Sequence, residues 1–278
     1  PEIVLTYDDE GKVTNQSQLD NAAAGIEWIG IGADGKPFNG TFIGGNRFIH
    51  RLYGKPLFMN IGSKGRIEQL NVNALSINNQ VYTIPTSFGG ESGTRCAING
   101  SGLFAETNAG RISGCRVVGD VSLNGTPSGA FIGTNEGVLF ASYHVGETKG
   151  TVTVGGLVGD NSHGDGKIQS CYQAGNVIGS GTDNHGITKE ISGVNNSYFN
   201  HELFPDGIDQ ENVAEGRSSA QMTKSDFVDD LNSGITSWLT NHTGYEAYRY
   251  VYQPANYPII EKGAPTSTTP TPAPTSEP

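Results

Sequence analysis

Short apolar runs, broken by Gly and Asn, recur at fixed spacing through the middle of the chain. Gly102-Leu103-Phe104-Ala105 returns as Gly129-Ala130-Phe131-Ile132 and again as Gly156-Leu157-Val158-Gly159, one copy every 27 residues. A second run follows the turn glycines Gly110, Gly137 and Gly166. Within that window the columns hold without a gap: Ile112, Leu139 and Ile168, then Cys115, Ser142 and Cys171, then Gly119, Gly146 and Gly175, then Val121, Thr148 and Val177. The third copy has two extra residues before its turn glycine, within Ser162-His163-Gly164-Asp165. A period of this size means stacked copies of one supersecondary unit.

The unit is a strand unit. Each run is three to six residues long and rich in Val, Ile, Phe and Tyr, whereas a helix of ordinary length needs about 10–12 residues. Gly and Asn fill the joints, where a stacked coil needs φ > 0 or close backbone approach. The pattern predicts an all-β chain, a β-solenoid or β-helix of about 27-residue rungs. The expected layout is an N-terminal cap and first rung over 1–55, with Ile49 and Leu52 extending the core columns. Solenoid repeats follow over 56–200, beginning with a worn copy at Leu57-Phe58 and interrupted by an insertion at about 74–100. A capping segment over 201–263 and a Pro/Thr-rich linker over 264–278 complete the chain. A solenoid leaves apolar surface at its ends, so the capping segment is expected to seal the last rung. It holds the one clear helix pattern: Thr223-Lys224-Ser225-Asp226 as N-terminal signal, then Phe227, Val228 and Leu231 on one face, with Trp238 and Leu239 in a second short turn after Gly234.

Stacking also bears on the cysteines. Strands in a sheet lie about 4.8 Å apart, so Cys115 and Cys171, two rungs apart in one column, are separated by roughly 9–10 Å. A disulfide needs Cα atoms within about 7 Å. Two free, buried thiols are therefore expected, with Cys96 in the insertion and without a partner.

The units resemble the GLUG motif, the Gly-Leu-Val/Phe-Gly-x-Asn-x-Gly-x-Ile repeat of bacterial surface proteins. The cleanest copy is Gly156-Leu157-Val158-Gly159-Asp160-Asn161, and the next is Gly102 to Ile112. Trp28-Ile29-Gly30-Ile31-Gly32 with Phe38 to Asn46 is similar to the segment that precedes such arrays, with Ile43 where members commonly have Asp. Asn196-Ser197-Tyr198-Phe199 onward to Tyr257-Pro258-Ile259-Ile260 is similar to the segment that closes them. The resemblance covers most of residues 26 to 260. It implies a secreted or surface-exposed, adhesin-like scaffold. Related repeats also occur in non-catalytic regions of IgA-cleaving zinc metalloproteases.

Charge narrows the partners. The formal net charge is −11, which argues against nucleic acid and against anionic membranes. No stretch of about 18 apolar residues is present to span a bilayer. Three cysteines give no disulfide framework. The Ala264–Pro274 stretch reads as an extended spacer leading to further domains or an anchor.

Two candidate sites stand out. Tyr248, Tyr250 and Tyr252 alternate with Arg249 and Val251, so in a strand their rings share one side. Exposed, they form a stacking platform for sugar rings; covered, they form an aromatic face between cap and solenoid. Asp160, Asn161 and Asp165 offer two carboxylates and an amide oxygen as a Ca²⁺ ligand set, against the reading of a solvated loop. Asp8-Asp9-Glu10 is a similar acidic turn. His201-Glu202-Leu203-Phe204-Pro205 begins like a zinc-protease helix but has Pro where the second His belongs, so ligand and scaffold are both missing.

The expected function is a non-enzymatic module of a secreted or cell-surface bacterial protein, extracellular, without cofactor, whose partner is a host or microbial surface glycan or protein. Three alternatives stay open: a glycan-binding domain using the tyrosines, a β-helix carbohydrate-active enzyme, and an accessory region of a larger surface protease.

Overall fold

The computed structural model describes residues 28–33, 35–50, 52–73, 95–162, 165–181, 183–190, 192–204 and 214–265. The acidic turn at residues 8–10, His163 and Gly164, Pro205 and the linker from residue 266 lie outside them.

The chain winds into a β-solenoid of about five turns. Each turn lays down short strands on successive faces, and every face is a parallel sheet. The first face carries Phe58–Ile61, Ala105–Asn108, Ile132–Asn135 and Val158–Asp160. The second carries Thr41–Ile43, Arg66–Glu68, Arg111–Ser113, Val138–Phe140, Lys167–Gln169 and Val194–Asn195. The third runs from Phe48–His50 through Arg116–Val118, Tyr143–Val145 and Tyr172–Ala174 to Ser197–Asn200 and Ala214–Arg217. A fourth contains Arg95–Ile98, Asp120–Leu123 and Thr148–Lys149, and a short fifth contains Thr153–Gly155 and Asp183–His185.

The columns read from the sequence are the registers of these sheets. Ile67, Ile112, Leu139 and Ile168 pair in succession and are 0% exposed. Phe104 and Phe131 stack at 4.8 Å between centroids. Each such side chain taken from water contributes roughly 1.5–3 kcal/mol, so the apolar lumen is the main source of stability. The three cysteines are free and buried. Ser142 stands between Cys115 and Cys171, its hydroxyl accepting from the Cys115 amide at 3.1 Å.

Two expectations are corrected. The insertion is shorter than 74–100, because Arg95–Ile98 pairs with Asp120–Leu123 as an ordinary rung strand. Cys96 consequently lies beside Val121 inside the lumen, free of any disulfide partner.

The corners use both routes, φ > 0 and close backbone approach. Between the second and third faces the backbone turns through φ > 0 at Gln69, Gly114, Ala141, Ser170 and Asn196, with values from 45° to 62°. Only one of these is glycine. The turn glycines Gly110 and Gly137 answer to crowding instead: a Cβ on Gly137 would strike the Gly110 carbonyl, one rung below.

The second correction concerns the helix of the C-terminal segment. Phe204 and the strand Ala214–Arg217 cover the last rung, whereas the apolar helix face expected to seal it lies along the side of the solenoid. A short helix, α1 (Ser219–Met222), opens with a capping box between Ser218 and Gln221. The long helix α2 (Ser225–Asn241) follows, with Lys224 at its N-cap position and no side-chain cap bond. It runs unbroken through Gly234, where the missing side chain lets the helix lie against Ser170 and Asn196 of two successive rungs. An antiparallel hairpin, Tyr248–Gln253 with Asn256–Lys262, completes the strap. A second apolar cluster fills the contact: Phe140, Tyr143, Tyr172 and Tyr198 from the solenoid, and Phe227, Leu231, Ile235, Trp238, Tyr248 and Tyr250 from the strap. The Arg111 guanidinium fixes one end. It pairs with Glu68 at 3.0 Å, donates to the Gly244 carbonyl at 2.8 Å and lies 4.2 Å from the Tyr245 ring centroid.

Candidate functional site

The tyrosine stripe does not form an open platform. Tyr248 and Tyr250 are each 1% exposed. The Tyr250 hydroxyl reaches the carbonyls of Ser170 at 2.9 Å and Ser142 at 3.2 Å, bridging two rungs. Asn232 of α2 clamps the Tyr250 backbone from the other side, donating to its carbonyl at 3.0 Å and accepting from its amide at 2.7 Å. Tyr143 and Tyr172 stack at 4.8 Å beneath it. Burial pushes the Tyr172 and Tyr250 phenols well above their ordinary range. Tyr252 alone stays open, at 38% exposure, because the strand shifts register between Val251 and Gln253. Two of the three proposed sugar-stacking rings are thus the glue of the strap.

The Ca²⁺ candidate also comes apart on its geometry. Asn161 is 2% exposed, and its amide oxygen accepts from Asn135 Nδ2 at 2.8 Å. Its own amide nitrogen donates to the Ser192 carbonyl at 2.7 Å. Asn135 in turn accepts from Asn108 Nδ2 at 2.8 Å. The Asn161 oxygen is therefore committed to a buried ladder of stacked amides and is not free to face a cation with Asp160 and the exposed Asp165. Asp160 accepts from the Ser162 amide at 2.8 Å. Among the described residues, no three His, Cys, Asp or Glu side chains gather as a metal site.

His144 occupies an inward position between Val117 and Gln173 and is 0% exposed. Its Nε2 lies 3.0 Å from the Gly119 carbonyl and its Nδ1 3.1 Å from Thr148 Oγ1. Burial pulls its pKa down to about 4. A carbonyl only accepts, so Nε2 carries the proton of the neutral ring. This is a core histidine that tightens a corner, out of reach of any substrate.

Two surface arrangements were not read from the sequence. Asp183 gathers Lys189 Nζ at 2.9 Å, His185 Nε2 at 2.8 Å and Thr153 Oγ1 at 2.8 Å. The Lys189 ammonium, helped by His185 and Thr153, holds its carboxyl well below the usual range. The cluster joins two rungs.

The other is a row on the first face. Asn60, Thr107, Thr134 and Asp160 pair in register on successive rungs, all half-buried. Thr107 donates to Asn60 at 2.6 Å. Each lies two residues after the buried Phe58, Ala105, Ile132 or Val158, at one fixed position of the repeat. That offset is the signal in the sequence, hidden because the four residue types differ.

Comparison with family models, with curated proteins and with solved structures finds no match to this chain.

Proposed function

We propose that this chain is a non-enzymatic module of a secreted or cell-surface bacterial protein, holding a rigid β-solenoid as a stalk or adhesive face. The observation that carries this reading is the parallel register of the second face, kept from Thr41 to Asn195 and braced along its side by α2 and the hairpin. A body of this kind fixes side chains of one column at about 4.8 Å intervals along an axis, which suits reach and repetitive contact. The GLUG-like repeats and the Pro/Thr-rich linker point the same way. The partner is a surface glycan or protein. A glycan and host-matrix array probed with the full chain tests it: specific capture supports an adhesive face. Turnover of a polysaccharide or peptide by the purified chain sinks the non-enzymatic reading.

A second reading, binding of an extended polymer along the first face, draws on the row Asn60, Thr107, Thr134 and Asp160. Its equal spacing matches a ligand that repeats along the axis. Replacing Thr107 and Thr134 together by Ala should abolish array binding while leaving the fold intact; unchanged binding removes this face from consideration.

A further inference from the structure

Three Asn-Gly pairs stand in the chain, Asn39-Gly40, Asn99-Gly100 and Asn124-Gly125, each after an apolar residue. In such a pair the glycine nitrogen can reach the side-chain carbonyl of the asparagine, because no Cβ restricts the backbone between them. The local chemistry is alike at all three pairs, and the fold makes them different.

Asn99-Gly100 and Asn124-Gly125 are stacked on neighbouring rungs. Asn124 Nδ2 donates to Asn99 Oδ1 at 3.1 Å. The Gly125 amide donates to the Gly100 carbonyl at 2.9 Å, and the Asn99 amide to the Gly54 carbonyl at 2.6 Å. Gly100 is buried, and a Cβ there would lie 2.6 Å from Glu106 Oε2 and 2.8 Å from the Pro56 ring. Neither pair can bend into a ring without breaking bonds that join one rung to the next.

Asn39-Gly40 is placed otherwise. Both residues are exposed, and they lead into the strand Thr41–Ile43, which pairs on one side only among the described residues. The Gly40 carbonyl accepts from the Arg66 amide at 2.9 Å, but among the described residues nothing accepts from the Gly40 amide. The Asn39 side chain is held in place. Its Oδ1 accepts from the Lys64 amide at 3.3 Å, and its Nδ2 donates to the Pro37 carbonyl at 3.2 Å. It nests over Gly62, where a Cβ would strike Oδ1. A donor on Oδ1 polarises that carbonyl and stabilises the oxyanion formed when a nucleophile adds to Cγ. The exposed Lys36, Lys64 and Arg66 bring positive charge to the same edge, which favours loss of the attacking amide's proton.

We propose that Asn39-Gly40 is a site of self-modification. The Gly40 nitrogen attacks Asn39 Cγ and a C–N bond forms. The Gly40 amide proton is lost, the Cγ–Nδ2 bond breaks, and Nδ2 leaves as ammonia. Water then opens the succinimide ring at either carbonyl, leaving an aspartyl or an isoaspartyl link at position 39. The isoaspartyl link adds one methylene to the main chain just before Thr41. It therefore moves the Gly40 carbonyl relative to the Arg66 amide, the bond that opens the register of this strand. Either product places a carboxylate beside Lys64.

The test is incubation of the full chain at pH 8 and 37 °C, followed by peptide mass spectrometry with electron-transfer fragmentation to separate the two isomers. Product at residue 39 should accumulate at least tenfold faster than at residues 99 and 124, and both isomers should appear. In urea the three rates should converge, because only the fold tells the pairs apart. Gly40→Ala should slow the reaction at residue 39 at least tenfold, while residues 99 and 124 keep their slow rates and report intact rungs. Equal rates in the folded chain overturn the proposal. So does a difference that survives in urea, and so does an aspartyl product without its isomer, which would mean direct hydrolysis with no ring.

Discussion

Asn108 Nδ2 donates to Asn135 Oδ1 at 2.8 Å across one rung of the solenoid, and both side chains are 0% exposed. Asn135 hands the bond on to Asn161. A buried amide with its partner removed costs about 1–3 kcal/mol. Asn135→Ala strands a donor below and an acceptor above, so we expect a loss of about 2–4 kcal/mol by urea denaturation. The exposed pair Asn124 and Asn99, bonded at 3.1 Å, is the control. Asn124→Ala should change stability by less than about 0.5 kcal/mol.

Tyr250→Phe tests the strap. The substitution keeps the ring and deletes the hydroxyl that reaches Ser142 and Ser170. Two buried carbonyls lose a donor, and we expect about 1–2 kcal/mol of destabilisation. Loss of the whole ring in Tyr250→Ala should cost about 3–5 kcal/mol. Trp238 lies in the same cluster, so its fluorescence should report loosening of the strap before far-UV circular dichroism reports loss of the solenoid. Simultaneous loss of both signals would mean that strap and solenoid unfold as one unit.

His144 makes stability fall in acid. Its folded pKa is about 4 against an ordinary 6.5, with burial the main cause. The unfolded chain therefore binds the proton more readily. Stability is fully present above about pH 6.5 and is lost as pH falls toward 4. The Gly119 and Gly156 carbonyls and the Asp120 carboxylate favour the charged ring, but burial outweighs them. At about 1.4 kcal/mol per pKa unit the loss is on the order of 3 kcal/mol. Urea midpoints between pH 7.5 and 4.5 should show it. His144→Val, which copies Val117 of the same column, should flatten that part of the slope; an unchanged slope would assign the acid sensitivity elsewhere.

The cysteines should be silent in the native protein. Burial pushes the Cys96, Cys115 and Cys171 thiols up to about 12, and a thiol attacks only as the thiolate. An aromatic disulfide reagent at pH 8 should label none of the three until denaturant is added, then all of them. Labelling of Cys96 alone in the native state would mean that the rung strand Arg95–Ile98 opens locally.

The period, the strand character, the inward columns and the free thiols were all legible in the sequence. In a solenoid each rung places the same demand on the same position, so Ile112, Leu139 and Ile168 match because their surroundings match. The apolar face of α2 was legible for the same local reason, through the spacing of Phe227, Val228 and Leu231. The place where that face docks was not legible. Its target is made of Phe140, Tyr143, Tyr172 and Tyr198, outward positions on successive rungs that become one surface only when the strands stack. The fate of Tyr248 and Tyr250 followed from that docking, since alternation puts both on one side of a strand but cannot say what covers it. The same holds for Asn161, which reads as a loop ligand alone and as the top of an amide ladder once Asn135 lies beneath it. The corners show the limit most plainly. Gln69, Ala141 and Ser170 adopt φ > 0 against their own preference, because the sheets on either side fix the turn between them. Local chemistry therefore wrote the repeat, and contacts between residues far apart in the chain decided what each outward side chain does.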